Sequence, residues 1–384
     1  MSSVRLQDLD LINLSRNNIR KNKFDRDFVY RYPPSVKMPA VDHDALRSGI
    51  SLRNHGQKAA LYVHIPFCTS LCKFCHYYKT TAPTTSAVDQ FIKFLNTEIS
   101  NYQELIGDID ITSIFFGGGT PTFLSSEQLG RILSHLKDIF NVEKHIEKTV
   151  ESSPETLTPK KLGQLLDIGF NRLSIGVQSF DDKVNENSGR KHDVNVATQI
   201  IKEARSIGFK DINIDMIYGL PGQSKSSWKG AMAKALELDI DSIAASELRI
   251  LPESLYYPHA NQNEFVSEKD MLEMHLMFIE TFKDNGYTQI FPYQFIKKGR
   301  KFDFLETQWS NEQFIGLGPS SCSFYNGWDY NNMFPLDDYY DFLTKYSIPA
   351  ARGTLLSKHE LMIREIALGL KKAGVNRSLP GISK

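Results

Sequence analysis

Short apolar runs alternate with longer helical periodicities from Ala59 to about Ile250. Apolar runs of about four to eight residues are typical of buried strands, and apolar positions recurring every three or four residues predict amphipathic helices. The predicted strands are AALYVHI, ITSIFF, KTVESS, RLSIGVQ, DINIDMIYG and DSIAASELRI. Helices are predicted over residues 88–105, from about 126, and over 159–166, 194–207 and 227–238. This alternation predicts an α/β fold whose parallel sheet curls into a barrel or part of one.

The pattern changes at both ends of this region. Residues 1–57 are polar and weakly periodic, and the prolines of RYPPSVKMP disfavour helix, so we expect an N-terminal arm. Residues 58–250 are the expected core barrel. Residues 251–384 are an expected C-terminal extension, mostly helical and packed over the barrel mouth, with helices over 268–284 and 359–372.

Composition and charge exclude several classes of function. Apolar residues make up 41% of the 384 residues, and 45 Lys and Arg balance 45 Asp and Glu. A zero net charge gives no electrostatic case for nucleic acid or an anionic membrane. We also expect no membrane span and no secretory signal, because no run of about 18 apolar residues exists and the N-terminus lacks an apolar segment.

Three of the four cysteines are crowded into the spacing Cys68-x-x-x-Cys72-x-x-Cys75. Such crowding is a poor disulfide framework and suggests metal or redox work in a reducing cytoplasm. Thiolates are the usual ligands of iron–sulfur clusters, and three of them leave one iron of a four-iron cluster open for catalysis. S-adenosylmethionine could chelate that iron. A zinc site completed by His64 or His76, or three ordinary cysteines, remain alternatives.

Polar or glycine-rich residues also follow the next four predicted strands, and functional residues of parallel barrels lie at such strand ends. Gly117–Pro121 could bring its backbone against the methionyl end of a ligand, or form a tight turn. Glu151 could bind ribose or an amine, or lie at a helix N-terminus. Gln178 and Asp215 interrupt apolar runs and should face a cavity. Arg190 could pair with a carboxylate or be solvated.

Four further residues have expected supporting roles. His64 should orient the cysteine loop, while Tyr62 and Phe67 should shield a cluster from water. Cys322 could be a small buried residue, a labile fourth ligand or a thiol near the site.

Five segments carry a family resemblance: LYVHIPFCTSLCKFC, GGGTPTFL, ESSPETL, GFNRLSIGVQSFDD and NIDMIYGLPGQ. In this order they resemble radical S-adenosylmethionine enzymes of the oxygen-independent coproporphyrinogen III oxidase type, over about residues 31–250 and more loosely to 375. The resemblance implies a partial (βα)6 barrel, a [4Fe–4S] cluster on Cys68, Cys72 and Cys75, and one or two molecules of S-adenosylmethionine. The matching S-adenosylmethionine-binding positions are Tyr62, Gly118, Gly119, Glu151, Gln178, Arg190 and Asp215.

Three departures bear on the reaction. The oxidases resemble C-x-x-x-C-x-x-C-x-C, whereas Tyr77 occupies the last position here. The related haem chaperones usually lack a long leader and carry a His–Asn pair, of which ETQWSNEQF lacks the histidine; RYPPS, in contrast, resembles the oxidase arm. Relatives also continue further, so the C-terminal extension looks abbreviated.

The resemblance therefore implies a radical enzyme that acts on a tetrapyrrole or another conjugated or aromatic substrate by hydrogen abstraction or methyl transfer. Its family also contains class C radical methyltransferases and enzymes that open haem. A reductant such as flavodoxin or ferredoxin is the implied partner. The alternatives are the coproporphyrinogen III dehydrogenase of haem biosynthesis and a haem chaperone, which is a binding protein.

Overall fold

The computed structural model describes residues 32–52, 57–259 and 265–372. Most of the predicted N-terminal arm lies outside the described residues, as does the end of the C-terminal extension from residue 373. Within the described part of the chain, no helix is both long and apolar enough to cross a membrane.

The described residues form fourteen strands and eleven α-helices, which we number in chain order. The strands are β1 (Lys58–Ile65), β2 (Phe67–Cys68), β3 (Thr80–Thr81), β4 (Asp110–Gly118), β5 (Asn141–Ser152), β6 (Arg172–Gln178), β7 (Asp211–Tyr218), β8 (Ser242–Glu247), β9 (Tyr287–Phe291), β10 (Gln294–Lys297), β11 (Phe314–Leu317), β12 (Cys322–Tyr325), β13 (Trp328–Asn332) and β14 (Ala350–Leu355). The helices are α1 (His43–Ile50), α2 (Thr85–Ile106), α3 (Ser126–Ile139), α4 (Pro159–Ile168), α5 (Asp182–Asn187), α6 (Val194–Ile207), α7 (Lys225–Glu237), α8 (Glu268–Asp284), α9 (Asp303–Gln308), α10 (Leu336–Lys345) and α11 (Lys358–Lys371).

Strands β1 and β4–β8 pair in parallel and in sequence order. Helices lie between successive strands, so the predicted six-stranded part-barrel is confirmed. The helices begin where the sequence provides caps: Ser125 and Gln128 form a reciprocal capping box at the start of α3. All six strand ends therefore point to one face, where parallel barrels carry their functional residues.

The C-terminal extension adds strands to both edges of this part-barrel. Strand β11 pairs in parallel with β1 and leads through β12 and β13 to β14, while β10 and β9 continue the sheet from β8. The short helix α9 connects the two edges and packs against β1 and β4. The sequence analysis identified the long helices of the extension but not these short strands.

Candidate functional site

The cysteine loop begins directly at the end of the first barrel strand. Strand β2 pairs in parallel with β3 beyond the loop, so the loop is closed at its base. Cys68 is buried, and the Thr120 hydroxyl lies 3.7 Å from its sulfur. Burial raises the pKa of Cys68 to about 11 and also raises the pKa of Cys75. Thiols in such surroundings become thiolates on binding a metal, which releases their protons.

The hydrogen bonds of His64 do not favour it as the fourth ligand of a zinc ion. Both ring nitrogens of His64 are engaged, Nδ1 with the Tyr62 hydroxyl at 3.3 Å and Nε2 with the Tyr78 carbonyl at 3.1 Å. Across residues 32–52, 57–259 and 265–372, no three His, Cys, Asp or Glu side chains are placed to hold a single metal ion. A zinc site completed by His64 is therefore disfavoured, whereas one completed by His76 stays an alternative.

The glycine loop that ends β4 lies against the cysteine loop. The Gly119 amide donates to the Ile65 carbonyl at 2.8 Å, and the Thr120 amide donates to the Phe67 carbonyl at 2.8 Å. A Cβ on Gly119 would lie 2.7 Å from that Phe67 oxygen and 3.0 Å from the Cys68 sulfur. A side chain would therefore push the two loops apart, which explains the glycine.

Gly118 and Glu151 connect the ends of β4 and β5. Gly118 has a φ of 109°, and its amide donates to Glu151 Oε2 at 3.2 Å. Burial, and then the nearby charge of Asp215, raise the pKa of Glu151 to about 8. The carboxyl group therefore faces the barrel interior rather than a helix N-terminus, and the following 3-10 helix begins after Ser153.

Asp215 lies in a polar network inside the barrel. It accepts hydrogen bonds from the Ser174 hydroxyl at 2.9 Å and from Asn213 Nδ2 at 2.8 Å. Asn213 Oδ1 in turn accepts from the Ser242 hydroxyl at 2.9 Å and from Gln294 Nε2 at 3.1 Å. Burial raises the pKa of Asp215. The sequence analysis predicted that Asp215 faces a cavity but missed its partners, although polar residues alternate with apolar ones in these strands.

Arg190 bonds groups on the cysteine loop and on two strand ends. Its Nη1 donates to the Cys72 sulfur at 3.1 Å, and its Nη2 donates to Ser153 Oγ at 2.6 Å and to the Gly176 carbonyl at 2.5 Å. The buried Nε has no hydrogen-bond partner among the described residues. Of the two alternatives for Arg190, solvation does not fit these contacts, and its Nε is the donor without a protein partner.

A contact between Glu155 and His192 that the sequence analysis missed lies beside Arg190. Glu155 Oε2 accepts from Ser153 Oγ at 2.5 Å and lies 3.3 Å from His192 Nδ1, while Oε1 accepts from Thr69 Oγ1 at 3.2 Å. Burial opposes ionisation, but the His192 hydrogen bond and the Arg190 charge lower the pKa of Glu155 to about 2. The two ring nitrogens of His192 lie 3.3 Å from Glu155 Oε2 and 3.3 Å from the Val177 carbonyl oxygen. The second glutamate of the ESSPE segment, Glu155, was the feature of the sequence that could have predicted this contact.

Gln178 and Cys322 lie at the edges of this arrangement. Gln178 ends β6 with a φ of 66°, a conformation that non-glycine residues adopt uncommonly. Its amide lies beside Gly176, whose added Cβ would be 2.9 Å from Gln178 Nε2. Cys322 is partly exposed rather than buried, and it packs on the same aromatic cluster as Tyr62.

Aromatic side chains fill the barrel interior next to Tyr62. The Phe304 ring of α9 stacks 4.9 Å from Phe115, and the Tyr62 ring lies 6.0 Å from each of them. Phe67 is fully buried behind the cysteine loop and packs against Phe91 and Phe123. The site therefore combines a dry aromatic wall with the polar strand ends.

Known proteins share this fold and these motifs. Residues 62–235 match the family model of the radical SAM superfamily. The chain is 31% identical over 320 residues to the heme chaperone HemW of Bacillus subtilis, covering 82% of this chain and 84% of that protein. It is 27% identical over 366 residues to the oxygen-independent coproporphyrinogen III oxidase of Salmonella typhimurium, covering 92% of this chain and 80% of that protein. The solved structure of coproporphyrinogen III oxidase (HemN) from Escherichia coli superposes with a TM-score of 0.82 at 26% identity. The match covers 91% of this chain and 85% of that chain.

Proposed function

The chain belongs to the coproporphyrinogen III oxidase-like family of radical SAM enzymes, and from that premise we propose that it acts on a tetrapyrrole or another conjugated ring. A [4Fe–4S] cluster and S-adenosylmethionine are the cofactors of this family, and together they supply a 5′-deoxyadenosyl radical. The reaction we propose is hydrogen abstraction or methyl transfer, with a small electron-transfer protein such as flavodoxin or ferredoxin as reductant. A cytoplasmic location stays a prediction.

The observation that carries this proposal is the meeting of the cysteine loop, the glycine loop and the polar strand ends on one face. We assign the cluster to Cys68, Cys72 and Cys75, because the three cysteines lie on one loop that is closed at its base, at the end of the first barrel strand of a radical SAM chain. The glycine loop, a cradle that any Cβ would obstruct, lies directly beside Cys68.

We assign S-adenosylmethionine to the groups around that cradle. The donor left on Arg190 suits its carboxylate, and the acceptors Glu151 and Asp215 suit its amine or ribose hydroxyls. Tyr62 and the backbone of Gly118 and Gly119 would line the same pocket, with Gln178 at the end of the next strand. The aromatic wall would keep water from a reactive radical.

The two groups of relatives differ in function, so the reaction type needs its own support. Tyr77 stands where the oxidases carry a further cysteine, and it is 59% exposed beside the cysteine loop. A tyrosine in place of that cysteine favours an activity other than coproporphyrinogen oxidation. The 31% identity to a heme chaperone favours haem binding as the second candidate function.

Anaerobic assay of the reconstituted protein with dithionite and S-adenosylmethionine tests the proposal. We expect 5′-deoxyadenosine or S-adenosylhomocysteine; the latter indicates methyl transfer, and loss of carbon dioxide from a propionate indicates the oxidase. Cys72→Ala should abolish the products and lower the iron content, whereas the matched Cys322→Ala should keep its iron. If no product forms and haem instead stays bound through gel filtration, the protein is a haem carrier.

A further inference from the structure

The thiols of the cysteine loop lie beside polar groups that differ in charge. The neutral Thr120 hydroxyl lies 3.7 Å from the Cys68 sulfur, whereas the guanidinium of Arg190 donates to the Cys72 sulfur at 3.1 Å. The third thiol belongs to Cys75, and a lysine of the loop itself bonds the backbone of that residue.

This lysine, Lys79, reaches back across the loop to Cys75. Its ammonium group donates to the Cys75 carbonyl at 2.8 Å and to the Tyr77 carbonyl at 3.1 Å. The carbonyl oxygen and the sulfur of one cysteine lie within about 5 Å of each other, because they are only four bonds apart. The ammonium group of Lys79 therefore lies within about 8 Å of the Cys75 sulfur.

The backbone around Lys79 is held on both sides. The Tyr78 carbonyl lies 3.1 Å from His64 Nε2, and the Thr80 amide donates to the Pro66 carbonyl at 2.7 Å. Strand β3, which begins at Thr80, pairs in parallel with β2 at the base of the loop. The side chain of Lys79 is itself partly buried. Its charge therefore has a defined place in the cysteine loop.

The two hydrogen bonds of Lys79 do not by themselves require a cation. A neutral amide also donates to carbonyls, whereas an ammonium group adds a positive charge near the thiols. Burial raises the pKa of Cys68 and of Cys75, and the charge of Lys79 opposes this effect at both thiols. The charge of Lys79 therefore acts on more than the carbonyl groups that it bonds.

A positive charge at this place favours the reduced state of a bound cluster. Three thiolates leave a [4Fe–4S] cluster anionic, and reduction adds one more negative charge. Net charge and hydrogen bonding around the sulfurs are among the factors that set the reduction potential of such clusters. A unit charge about 8 Å away changes an equilibrium constant about tenfold or more at the effective dielectric constant of about 20 of such sites.

We propose that Lys79 raises the reduction potential of the cluster held by Cys68, Cys72 and Cys75, so that a small electron-transfer protein can reduce it. The proposal rests on the proposed function for the presence of the cluster. It concerns the entry of the electron and not the substrate, so it applies to hydrogen abstraction and to methyl transfer alike. Its test measures a potential and needs no turnover.

Redox titrations of the anaerobically reconstituted full-length protein, followed by electron paramagnetic resonance of the reduced cluster, measure the midpoint potential. Lys79→Gln keeps a hydrogen-bond donor and removes the charge. We expect the equilibrium constant for one-electron reduction to fall about tenfold, which lowers the midpoint potential by about 59 mV. Lys79→Arg keeps the charge and should keep the wild-type potential.

The matched control is Lys73→Gln, because Lys73 belongs to the same loop and its side chain is exposed. Water and salt screen an exposed charge, so its removal should change the same equilibrium constant about twofold or less. Iron content and thermal unfolding of each variant check the cluster and the fold.

Three results overturn the proposal: a wild-type potential in Lys79→Gln, loss of its iron, or an equal shift in Lys73→Gln. The first two would leave Lys79 with a purely structural role, and the third would mean that any charge on the loop has the same effect. Cleavage of S-adenosylmethionine by a Lys79→Gln variant of wild-type potential would keep the enzyme and remove the role of Lys79. A wild-type protein that takes up zinc instead of iron would contradict the proposed function itself.

Discussion

Glu151 and Glu155 belong to one ESSPE segment at the end of β5 but lie in opposite electrostatic surroundings. Glu151 shares the barrel interior with Asp215, and its pKa is raised to about 8. Glu155 lies among His192, Arg190 and Ser153, and its pKa is lowered to about 2. Burial acts in the same direction on both, so the hydrogen bond from His192 and the charge of Arg190 decide the difference.

This difference divides the mouth of the barrel into two sides. The cationic side comprises Arg190, His192 and Glu155, and the acidic side comprises Glu151 and Asp215. Arg190 bonds Cys72 and Glu155 accepts from Thr69, so the cationic side contacts the cysteine loop. The acidic side faces the ring-lined interior of the barrel. An S-adenosylmethionine molecule carries both a carboxylate and hydrogen-bond donors, so it could bridge the two sides. We infer that the contrast orients the cofactor, and each prediction below tests one part of it.

Removing the charge of Arg190 should have the largest effect on activity. Arg190→Met loses the donors to the Cys72 sulfur, Ser153 and Gly176, so we expect 5′-deoxyadenosine formation to fall about 10–100-fold. Initial rates normalised to cluster content measure this loss. Arg131→Met, on the exposed face of α3, is the matched control. Wild-type rates in Arg190→Met would show that the cationic side has no part in the reaction.

Some of this arrangement could be predicted from the sequence. Apolar runs predicted the buried strands, the polar end of one strand predicted Glu151, and the polar interruption of another predicted that Asp215 faces a cavity. Helix bounds at Val194–Ile207 and Glu268–Asp284 agree with the structure, because their caps are local features.

The cationic side could not be predicted in the same way. His192 meets Glu155 only because the loop after β6 returns to the end of β5, and a lone histidine gives no periodic signal. The short strands of the extension were missed for a related reason. They are four to six residues long and are fixed by pairing to distant strands.

Removing the Glu155 carboxylate should lower the free energy of unfolding. Glu155→Ala leaves the buried His192 ring without its carboxylate partner and removes a negative charge near Arg190, so we expect the free energy of unfolding at pH 7 to fall by about 2 kcal/mol. Urea denaturation measures it. Glu104→Ala, on an exposed helix position, should change it by about 0.5 kcal/mol or less. An equal effect of the two variants would mean that the contact between Glu155 and His192 contributes nothing to the free energy of unfolding.

The pH dependence of stability should differ in sign between the two glutamates. Glu151, with its pKa raised from 4.5 to about 8, stabilises the fold below pH 4.5, and this contribution is lost as the pH rises to 8. Glu155, with its pKa lowered to about 2, stabilises the fold above pH 4.5, and this contribution is lost as the pH falls toward 2.

Glutamine variants isolate these contributions. Relative to wild type, Glu151→Gln should gain up to about 5 kcal/mol as the pH rises from 4.5 to 8, and Glu155→Gln should gain up to about 3 kcal/mol as the pH falls from 4.5 toward 2. Urea denaturation across the two pH windows measures both. Parallel pH profiles for the two variants would refute the contrast.

The smallest effect should come from the hydrogen bonds that fix Asp215. Ser174→Ala removes one donor to Asp215 and leaves that of Asn213, so we expect the KM for S-adenosylmethionine to rise about fivefold, with kcat nearly unchanged. The control is Ser113→Ala in β4, because this buried hydroxyl has no hydrogen-bond partner among the described residues. A fall in kcat with an unchanged KM would instead place Asp215 in the chemical step, and the acidic side would then do more than bind the cofactor.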